Sequence, residues 1–235
     1  MSGCLSKLRS PGPVVSSTFR ENQLHNTPNA TAIAEDHARR RLGAALRTLQ
    51  HGVVGRNIDP ETIHRIAEQL EDVNGDLDAH APRRRPPSTW ASLVEVTIPH
   101  DGQTLDPGYG DRPFSGWSSP FSLEMDVVRN GDEVVTEVTL QTAHEGAPGR
   151  SHGGIVAALF DDLTGFVLQI AAARAYTGEL KVRYEAPVPL GVPLAARAYL
   201  RGREGRKLFI DGDLHHGTQR LATVQTIYVI APDVG

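Results

Sequence analysis

The stretch RSHGGIVAALFDDLTGFVLQ, residues 150–169, decides the fold because it is the long apolar segment in the C-terminal part of the chain. At about 100° per residue in an α-helix, its large apolar side chains fall on one broad arc. Such an arc is typical of a helix that packs against a sheet. The side chains on this arc are Ile155, Val156, Leu159, Phe160, Leu163, Phe166 and Val167.

The opposite arc of this helix carries small residues with Asp161 in their middle. Small residues permit close approach of another backbone or a ligand, so we expect this face to be covered and Asp161 to be partly desolvated. Burial raises the pKa of a carboxyl group toward the range useful for a general base. A hydrogen-bonded structural aspartate is the alternative. Asp162 lies about 100° away, where an exposed or capping carboxylate is ordinary, and we therefore favour Asp161.

The start of the helix adds a second candidate element. Gly153 and Gly154 place backbone N–H groups at the positive end of the helix dipole, where they suit an oxygen that becomes negative during a reaction. Asp161 lies two turns further on, on the same side as Gly154. A donor of this kind and a carboxylate base suit the attack of water on an activated carbonyl. Tight packing at the helix entry is the other interpretation of the glycine pair.

The segments around this helix alternate apolar and polar residues, which is typical of strands. Residues 121–127 and 134–140 flank Asn130-Gly131, a strong hairpin signal. Further strands are predicted at 178–184, 193–201, 207–214 and 221–230. The fold class is therefore α+β, with an antiparallel sheet covered by one long helix. We assign residues 86–235 to this domain.

Two amphipathic helices precede the sheet. Residues 31–52 place an apolar stripe at spacings of three and four. Asp59 is predicted as the N-cap of the second helix, with Pro60 at its first position and an apolar side that includes Ile63 and Ile66. These helices must dock on the rest of the protein or on a second copy. The stripe of the first helix consists of Ala38, Leu42, Ala45, Leu46 and Leu49.

Composition separates the N-terminal part of the chain into two further segments. Residues 1–29 are rich in Ser, Pro, Asn and Thr and are predicted to form a disordered tail. Residues 30–85 hold the two helices and lead into a linker at 79–88 that is rich in proline and arginine. We interpret its arginine run as a solvated linker, with an anion-binding patch as the alternative.

The overall composition excludes several classes of protein. The 235 residues carry a net charge of −4, which does not fit a general nucleic-acid binder. The N-terminus lacks the apolar stretch of a signal peptide, and we expect a cytoplasmic protein without membrane insertion. The single Cys4 excludes an intramolecular disulfide. His144, His152, His215 and His216 lack the spacing of metal ligands, so no metal is expected.

His152-Gly-Gly, followed by an apolar helix with Asp161 at the ninth position after the histidine, resembles hotdog-fold acyl-CoA thioesterases of the phenylacetic-acid-pathway and THEM types. The resemblance continues through residues 177–190 and 204–207 and covers about residues 111–231. It implies a long helix wrapped by an antiparallel sheet, and a homodimer or dimer of dimers with active sites at the interface. It also implies an acyl-CoA substrate and no cofactor, since CoA is part of the substrate.

The resemblance also implies roles for particular residues. The Gly153 N–H would polarise the thioester carbonyl, and Asp161 from the partner chain would act as general base or nucleophile. Thr177 would hold the water, and His152 would shape the loop and hydrogen-bond near the carbonyl. Where some relatives carry an asparagine, this chain has Gly146, which makes His144 the candidate for a second oxyanion donor, with an ordinary loop histidine as the alternative. Substrate binding is also assigned to Gly154. By location alone, and not from the resemblance, Lys181, Arg183 and Arg206 are the candidates for binding the CoA phosphates.

Three other functions compete with this interpretation. Residues 149–153 also fit the G-x-S-x-G pattern of a serine hydrolase, but a strand leading straight into the turn is not predicted there. A hotdog dehydratase or hydratase would usually carry an Asn-Pro-x-His loop, which the sequence lacks. A non-catalytic acyl-CoA-binding domain would have no use for Asp161.

Overall fold

The computed structural model describes residues 30–83 and 98–231. The predicted tail at 1–29, Cys4 and residues 84–88 of the predicted linker lie outside the described residues. In the N-terminal part, helix α1 spans Ala30–Val54 and helix α2 spans Pro60–Asp78. As predicted, the side chain of Asp59 caps α2, because its Oδ1 accepts the N–H of Thr62 at 2.9 Å.

Within the described residues 98–231, a six-stranded antiparallel sheet and one long helix form the C-terminal part. The helix, α3, spans Gly153–Ile170. In chain order the strands are β1 Val128–Asn130, β2 Glu133–Thr139, β3 Glu145–Ala147, β4 Arg150–Ser151, β5 Ala175–Tyr184, β6 Pro193–Glu204, β7 Lys207–His216 and β8 Gln219–Ile230. The six-stranded sheet has the order β1-β2-β6-β7-β8-β5, and β3 pairs with β4 in a separate hairpin. The predicted α+β class, with an antiparallel sheet around one helix, is confirmed.

The apolar side of α3 forms the centre of the core. Val156, Leu159, Phe160 and Leu163 are completely buried, and they meet the inward side chains of the sheet. Full burial of one such side chain contributes about 1.5–3 kcal/mol. By length and composition alone α3 would be able to cross a membrane. Because the sheet covers its apolar side, we interpret α3 as the core helix of a globular domain.

The predicted hairpin is confirmed at its turn but not over the length of its first strand. Asn130 pairs with Glu133, and Gly131 in the turn has a φ of 62°, which glycine adopts without strain. Residues 121–127 are not a strand of the sheet. Glu124 has a φ of 56°, which interrupts the extended backbone, and the N–H of Leu123 bonds to the carbonyl of Phe114 instead.

Helix α1 docks on the domain through a different face from the predicted apolar stripe. Leu42 is 56% exposed and Leu46 is also exposed, whereas Gly43 and Arg47 are buried. A Cβ at residue 43 would lie 2.6 Å from the carbonyl oxygen of Ser118, so glycine permits the close approach of the helix. The reason for the difference is that backbone contact and an arginine, not apolar packing, hold α1 in place.

Arg47 is the main side-chain contact of α1 with the loop at 117–124. It is 4% exposed and donates from Nη1 to the carbonyls of Trp117 and Ser119, at 3.1 and 2.7 Å. Its Nη2 donates to Glu124 at 3.0 Å. A buried guanidinium needs such partners, because a charge without them is costly to bury. Helix α2 contains no buried residue, so its predicted apolar side, including Ile63, is not covered within residues 30–83 and 98–231.

Candidate active site

His152 begins helix α3 and determines which backbone donor is open. Its Nδ1 accepts the N–H of Gly154 at 2.9 Å, which makes it the N-cap of the helix. The Gly154 N–H, predicted to bind substrate, is therefore occupied by this cap. Among the described residues, the N–H of Gly153 has no such partner. Gly153 is thus the open donor at the start of the helix.

The cap also determines the tautomer of the neutral His152 ring. A ring nitrogen that accepts a hydrogen bond carries no proton, so the neutral imidazole has its proton on Nε2. The side chain is exposed, and Nε2–H is a donor beside the first turn of α3. His152 therefore lies at the helix entry as its N-cap. Its hydrogen bond to a substrate carbonyl stays a prediction.

Tyr184, at the end of β5, closes one side of the Gly153 position. Its hydroxyl donates to the carbonyl of Gly153 at 2.7 Å. A Cβ at residue 153 would lie 3.2 Å from the tyrosine ring, which explains why the smallest residue occupies this position. Tyr184 was missed in the sequence analysis. It is 51% exposed despite its aromatic ring, and the ring borders the open N–H donor.

The structure brings Asp161 and Thr177 together within one chain, a contact that the sequence did not predict. The hydroxyl of Thr177, on β5, donates to Oδ1 of Asp161 at 3.1 Å. In the single chain Asp161 is exposed. The desolvation that we expected for it is therefore not supplied by its own chain.

A buried tyrosine supports the backbone beneath Asp161. Tyr228 is 3% exposed, and its hydroxyl donates to the carbonyl of Asp161 at 3.2 Å. The same hydroxyl lies 3.0 Å from Oγ1 of Thr164. Burial raises the pKa of Tyr228, which keeps the phenol protonated and able to donate. The alternation of β8 places this residue inward, but the sequence carries no signal for its link to Asp161.

Asp162 is not the exposed or capping carboxylate that we expected. It is 7% exposed, and Nε of Arg112 donates to its Oδ1 at 2.7 Å. Arg112 lies across Gly165, where a Cβ would be only 2.9 Å from its Nη2, and above the ring of Phe166. The reason for the error is that Arg112 lies fifty residues earlier, in a loop whose position the sequence does not reveal. The pair is a structural one on the flank of α3.

His144 is buried beneath the helix entry. Its Nδ1 accepts the N–H of Gln141 at 3.0 Å, and its carbonyl accepts the N–H of His152 at 2.8 Å. Burial lowers its pKa to about 4, with a smaller contribution from His51, so the ring is neutral. The proposed function of His144 as a second oxyanion donor stays a prediction. A Cβ at Gly146 would lie 2.6 Å from Cα of His152, which explains the absence of a larger residue there.

The three basic residues assigned to the CoA phosphates lie in two places. Lys181 and Arg183 are exposed on β5. Since side chains alternate along a strand, they point away from the side of β5 on which Tyr184 meets Gly153. Arg206, in the turn between β6 and β7, donates from Nε and Nη2 to the carbonyl of Ile230. Their role in CoA binding stays a prediction, and the first two would serve only a site on the other face of the sheet.

The serine hydrolase interpretation does not fit the structure around Ser151. A nucleophile elbow needs a sheet strand that leads directly into a helix. Ser151 instead ends the two-residue strand β4, which pairs with β3 in a small hairpin outside the main sheet. In the described ranges 30–83 and 98–231, no group of three or more His, Cys, Asp or Glu side chains has the arrangement of a metal site.

Comparisons with known proteins define the class of this domain. Residues 149–223 match the family model described as Thioesterase superfamily. A crystal structure of a thioesterase superfamily protein superposes with a TM-score of 0.68 at 26% identity, covering 81% of this chain and 90% of that one. The superposed share of this chain contains more residues than the range 84–235, so it includes part of the N-terminal helical segment. The sheet around its central helix has the hotdog fold, and residues 149–223 are similar to the thioesterase superfamily.

Two curated relatives are similar to parts of the chain. The acyl-coenzyme A thioesterase THEM4 of Xenopus laevis is 33% identical over 87 residues, which is 37% of this chain and 39% of that protein. THEM4 of Mus musculus is 38% identical over 66 residues, 28% of each chain. The chain therefore matches well under half the length of these curated relatives.

Proposed function

We propose that this protein hydrolyses an acyl-CoA thioester to the free acid and CoA. The observation that carries the proposal is the Asp161 carboxylate held by the Thr177 hydroxyl at 3.1 Å, on the helix whose first N–H, at Gly153, is open. A base and an oxyanion donor are the two groups that hydrolysis of a thioester needs. The match of this segment to the thioesterase superfamily and its similarity to acyl-CoA thioesterases support the same reaction.

The two groups of one chain are too far apart to act on one carbonyl. Gly153 and Asp161 are eight residues apart on α3, which is about 12 Å along the helix axis. A carbonyl oxygen in hydrogen-bond contact with Gly153 lies within about 3 Å of its nitrogen. We therefore propose that each active site combines Gly153 of one protomer with Asp161 of the partner subunit. Such a partner would also cover Asp161, which its own chain leaves exposed.

The position of β5 supports this arrangement. Among the strands of the described residues it lies at the edge of the six-stranded sheet, and its ten residues form a surface that proteins usually protect by pairing. Thr177 lies near its start beside Asp161, whereas Tyr184 lies at its end beside Gly153. Antiparallel pairing of two β5 edges around their centre would place Thr177 of one copy opposite Tyr184 of the other. It would thereby bring the base of each protomer toward the oxyanion donor of its partner.

The proposed chemistry uses water as the second substrate. The water oxygen attacks the carbonyl carbon while Asp161 takes the proton, and the Gly153 N–H donates to the oxygen that becomes negative. The tetrahedral intermediate then breaks its C–S bond, and the CoA thiolate receives the proton from Asp161. Alternatively, Asp161 attacks as a nucleophile and water hydrolyses the resulting anhydride. A single turnover in ¹⁸O-labelled water detects the second route when water attacks the Asp161 carbonyl of the anhydride, because the label then enters the protein carboxylate. The general-base route places the label in the free acid.

A panel of acyl-CoA esters, aliphatic and aromatic, assayed for release of free thiol, tests the activity. Hydrolysis of at least one ester supports the proposal. Tight binding of acyl-CoA without thiol release would contradict it and would indicate the non-catalytic binding domain. Conversion of an enoyl-CoA without thiol release would indicate the dehydratase or hydratase.

Subunit complementation tests the shared site. Asp161→Asn removes the base, and the Gly153→Pro/Tyr184→Ala double variant removes the N–H donor at the first helical position, where proline fits the backbone, together with the ring that the proline Cβ would otherwise meet at 3.2 Å. His152 is extended, with φ −64° and ψ 134°, and so accepts a following proline. Co-refolding the two inactive variants in equal amounts should restore about a quarter of wild-type turnover, because half of the dimers are mixed and each has one intact site. A mixture without activity would place both groups in one chain.

A further inference from the structure

The last turns of helix α1 contact the short 3₁₀ turn Thr142–His144 that precedes the helix entry. The carbonyl of His51 accepts the hydroxyl of Thr142 at 3.0 Å, and Nδ1 of His51 accepts the N–H of Ala143 at 3.1 Å. The ring of His51 meets the ring of His144 edge to face, with centroids 4.9 Å apart. One residue of the N-terminal helix thus makes three contacts with this turn.

The turn is in direct contact with the candidate active site. The carbonyl of His144 accepts the N–H of His152, the residue that caps α3 and precedes Gly153. The next strand, β3, lies so close to His152 that residue 146 has no space for a side chain. A displacement of the turn therefore moves His152, and with it the direction of the Gly153 N–H.

We infer that His51 is a positioning residue that holds the Thr142–His144 turn, and through it the Gly153 oxyanion donor, in the geometry required for catalysis. The inference rests on the proposed function. It gives the N-terminal helix a part in catalysis without contact with the substrate. An oxyanion donor stabilises a transition state only if it is aimed in advance, so a small displacement lowers kcat more than it weakens substrate binding.

The protonation of His51 suits this role. Burial lowers its pKa, the nearby Glu124 opposes the change, and Arg47 adds to it. The neutral ring then accepts at Nδ1 and carries its proton on Nε2. The amide oxygen of asparagine occupies a similar position to Nδ1 of histidine and accepts in the same way. Leucine fills similar space without an acceptor.

A comparison of variants at residue 51 tests the inference. His51→Leu should lower kcat about tenfold with KM within about twofold of wild type, whereas His51→Asn should recover most of kcat. Gln50→Ala is the matched control, because Gln50 joins the same helix to the carbonyl of Pro120 and not to the turn. It should leave kcat unchanged. Thr142→Val removes only the hydroxyl donor to His51 and should lower kcat by a few fold, which keeps the test usable if His51→Leu does not fold.

Several results would overturn the inference. These are full kcat in folded His51→Leu or Thr142→Val, equal losses in His51→Asn and His51→Leu, or the same loss in Gln50→Ala. Amide hydrogen exchange separates this inference from the proposed function, because it needs no turnover. Exchange at residues 143–154 should be faster in His51→Leu than in His51→Asn, and equal rates would contradict the positioning role even if the wild-type protein hydrolyses no thioester.

Discussion

The two flanks of helix α3 hold adjacent carboxylates in opposite surroundings. Asp161 is exposed and accepts a hydrogen bond from a neutral hydroxyl, that of Thr177. Asp162 is buried and paired with Arg112. Within a single chain the buried carboxylate is therefore the structural one. The candidate catalytic carboxylate lies where a second molecule can cover it. Exposure in one protomer is thus a feature to expect of a group that acts at an interface.

The strongest test of this contrast is Asp161→Asn. We expect kcat for thiol release to fall about a thousandfold, because a general base contributes about a hundredfold to ten-thousandfold and its amide cannot take a proton. The melting temperature should change little, since the side chain is exposed. Asp132→Asn, an exposed carboxylate in the β1–β2 turn, is the matched control and should retain full activity. Near-normal turnover of Asp161→Asn would remove the catalytic assignment.

Substitutions on the opposite flank of α3, at the Arg112–Asp162 pair, should change stability. Arg112→Met leaves the Asp162 carboxylate, whose side chain is 10% exposed, without its partner. We expect the free energy of unfolding to fall by about 3 kcal/mol in urea titrations. The Arg112→Met/Asp162→Asn double variant should recover part of this loss, because a neutral amide costs less to bury than an unpaired carboxylate. Unchanged stability together with a loss of kcat as large as that expected for Asp161→Asn would mean that Asp162, not Asp161, is the functional carboxylate.

Acid should weaken the helix entry through His144. Its pKa is about 4 in the folded chain, below the ordinary value of 6.5, because the ring is buried. The unfolded chain therefore binds more protons between these two pH values. The free energy of unfolding should fall by about 2 kcal/mol as the pH decreases from 6.5 to 4. His144→Asn keeps an acceptor for the Gln141 N–H and should show a smaller fall over this range; an unchanged pH dependence would contradict the assignment.

The smallest effect is expected at Thr177. Thr177→Ala removes the hydroxyl that donates to Asp161, and we expect kcat to fall about tenfold, as for the loss of an exposed hydrogen bond to a charged group. Thr177→Ser keeps the donor and should stay within a few fold of wild type. Equal losses in both variants would indicate that the methyl group, and not the hydroxyl, matters on this flank of α3.

The sequence was sufficient for the fold class because periodicity reports which faces are buried. The apolar arc of α3 and the alternation in β6, β7 and β8 predict the core directly, and the cap at Asp59 is a local signal. The first helix shows the limit of this reasoning. Its apolar stripe, with Leu42 and Leu46, predicts a contact face, but Gly43 and Arg47 make the contact. A small residue and a charged one do not stand out in a hydrophobic pattern.

The candidate site, like the fold, has features that the sequence predicts and features that only the tertiary structure shows. The amino-acid sequence by itself predicted the His152-Gly153 helix entry and led to the choice of Asp161, whose catalytic role stays a prediction, because both depend on spacing along one helix. Only the tertiary structure decided which N–H is open, which hydroxyl reaches Asp161, and that Arg112, Tyr184, Tyr228 and His51 border these groups. The physical reason is that hydrogen bonds and ion pairs act over a few ångströms in space, while their partners are separated by many residues in the chain.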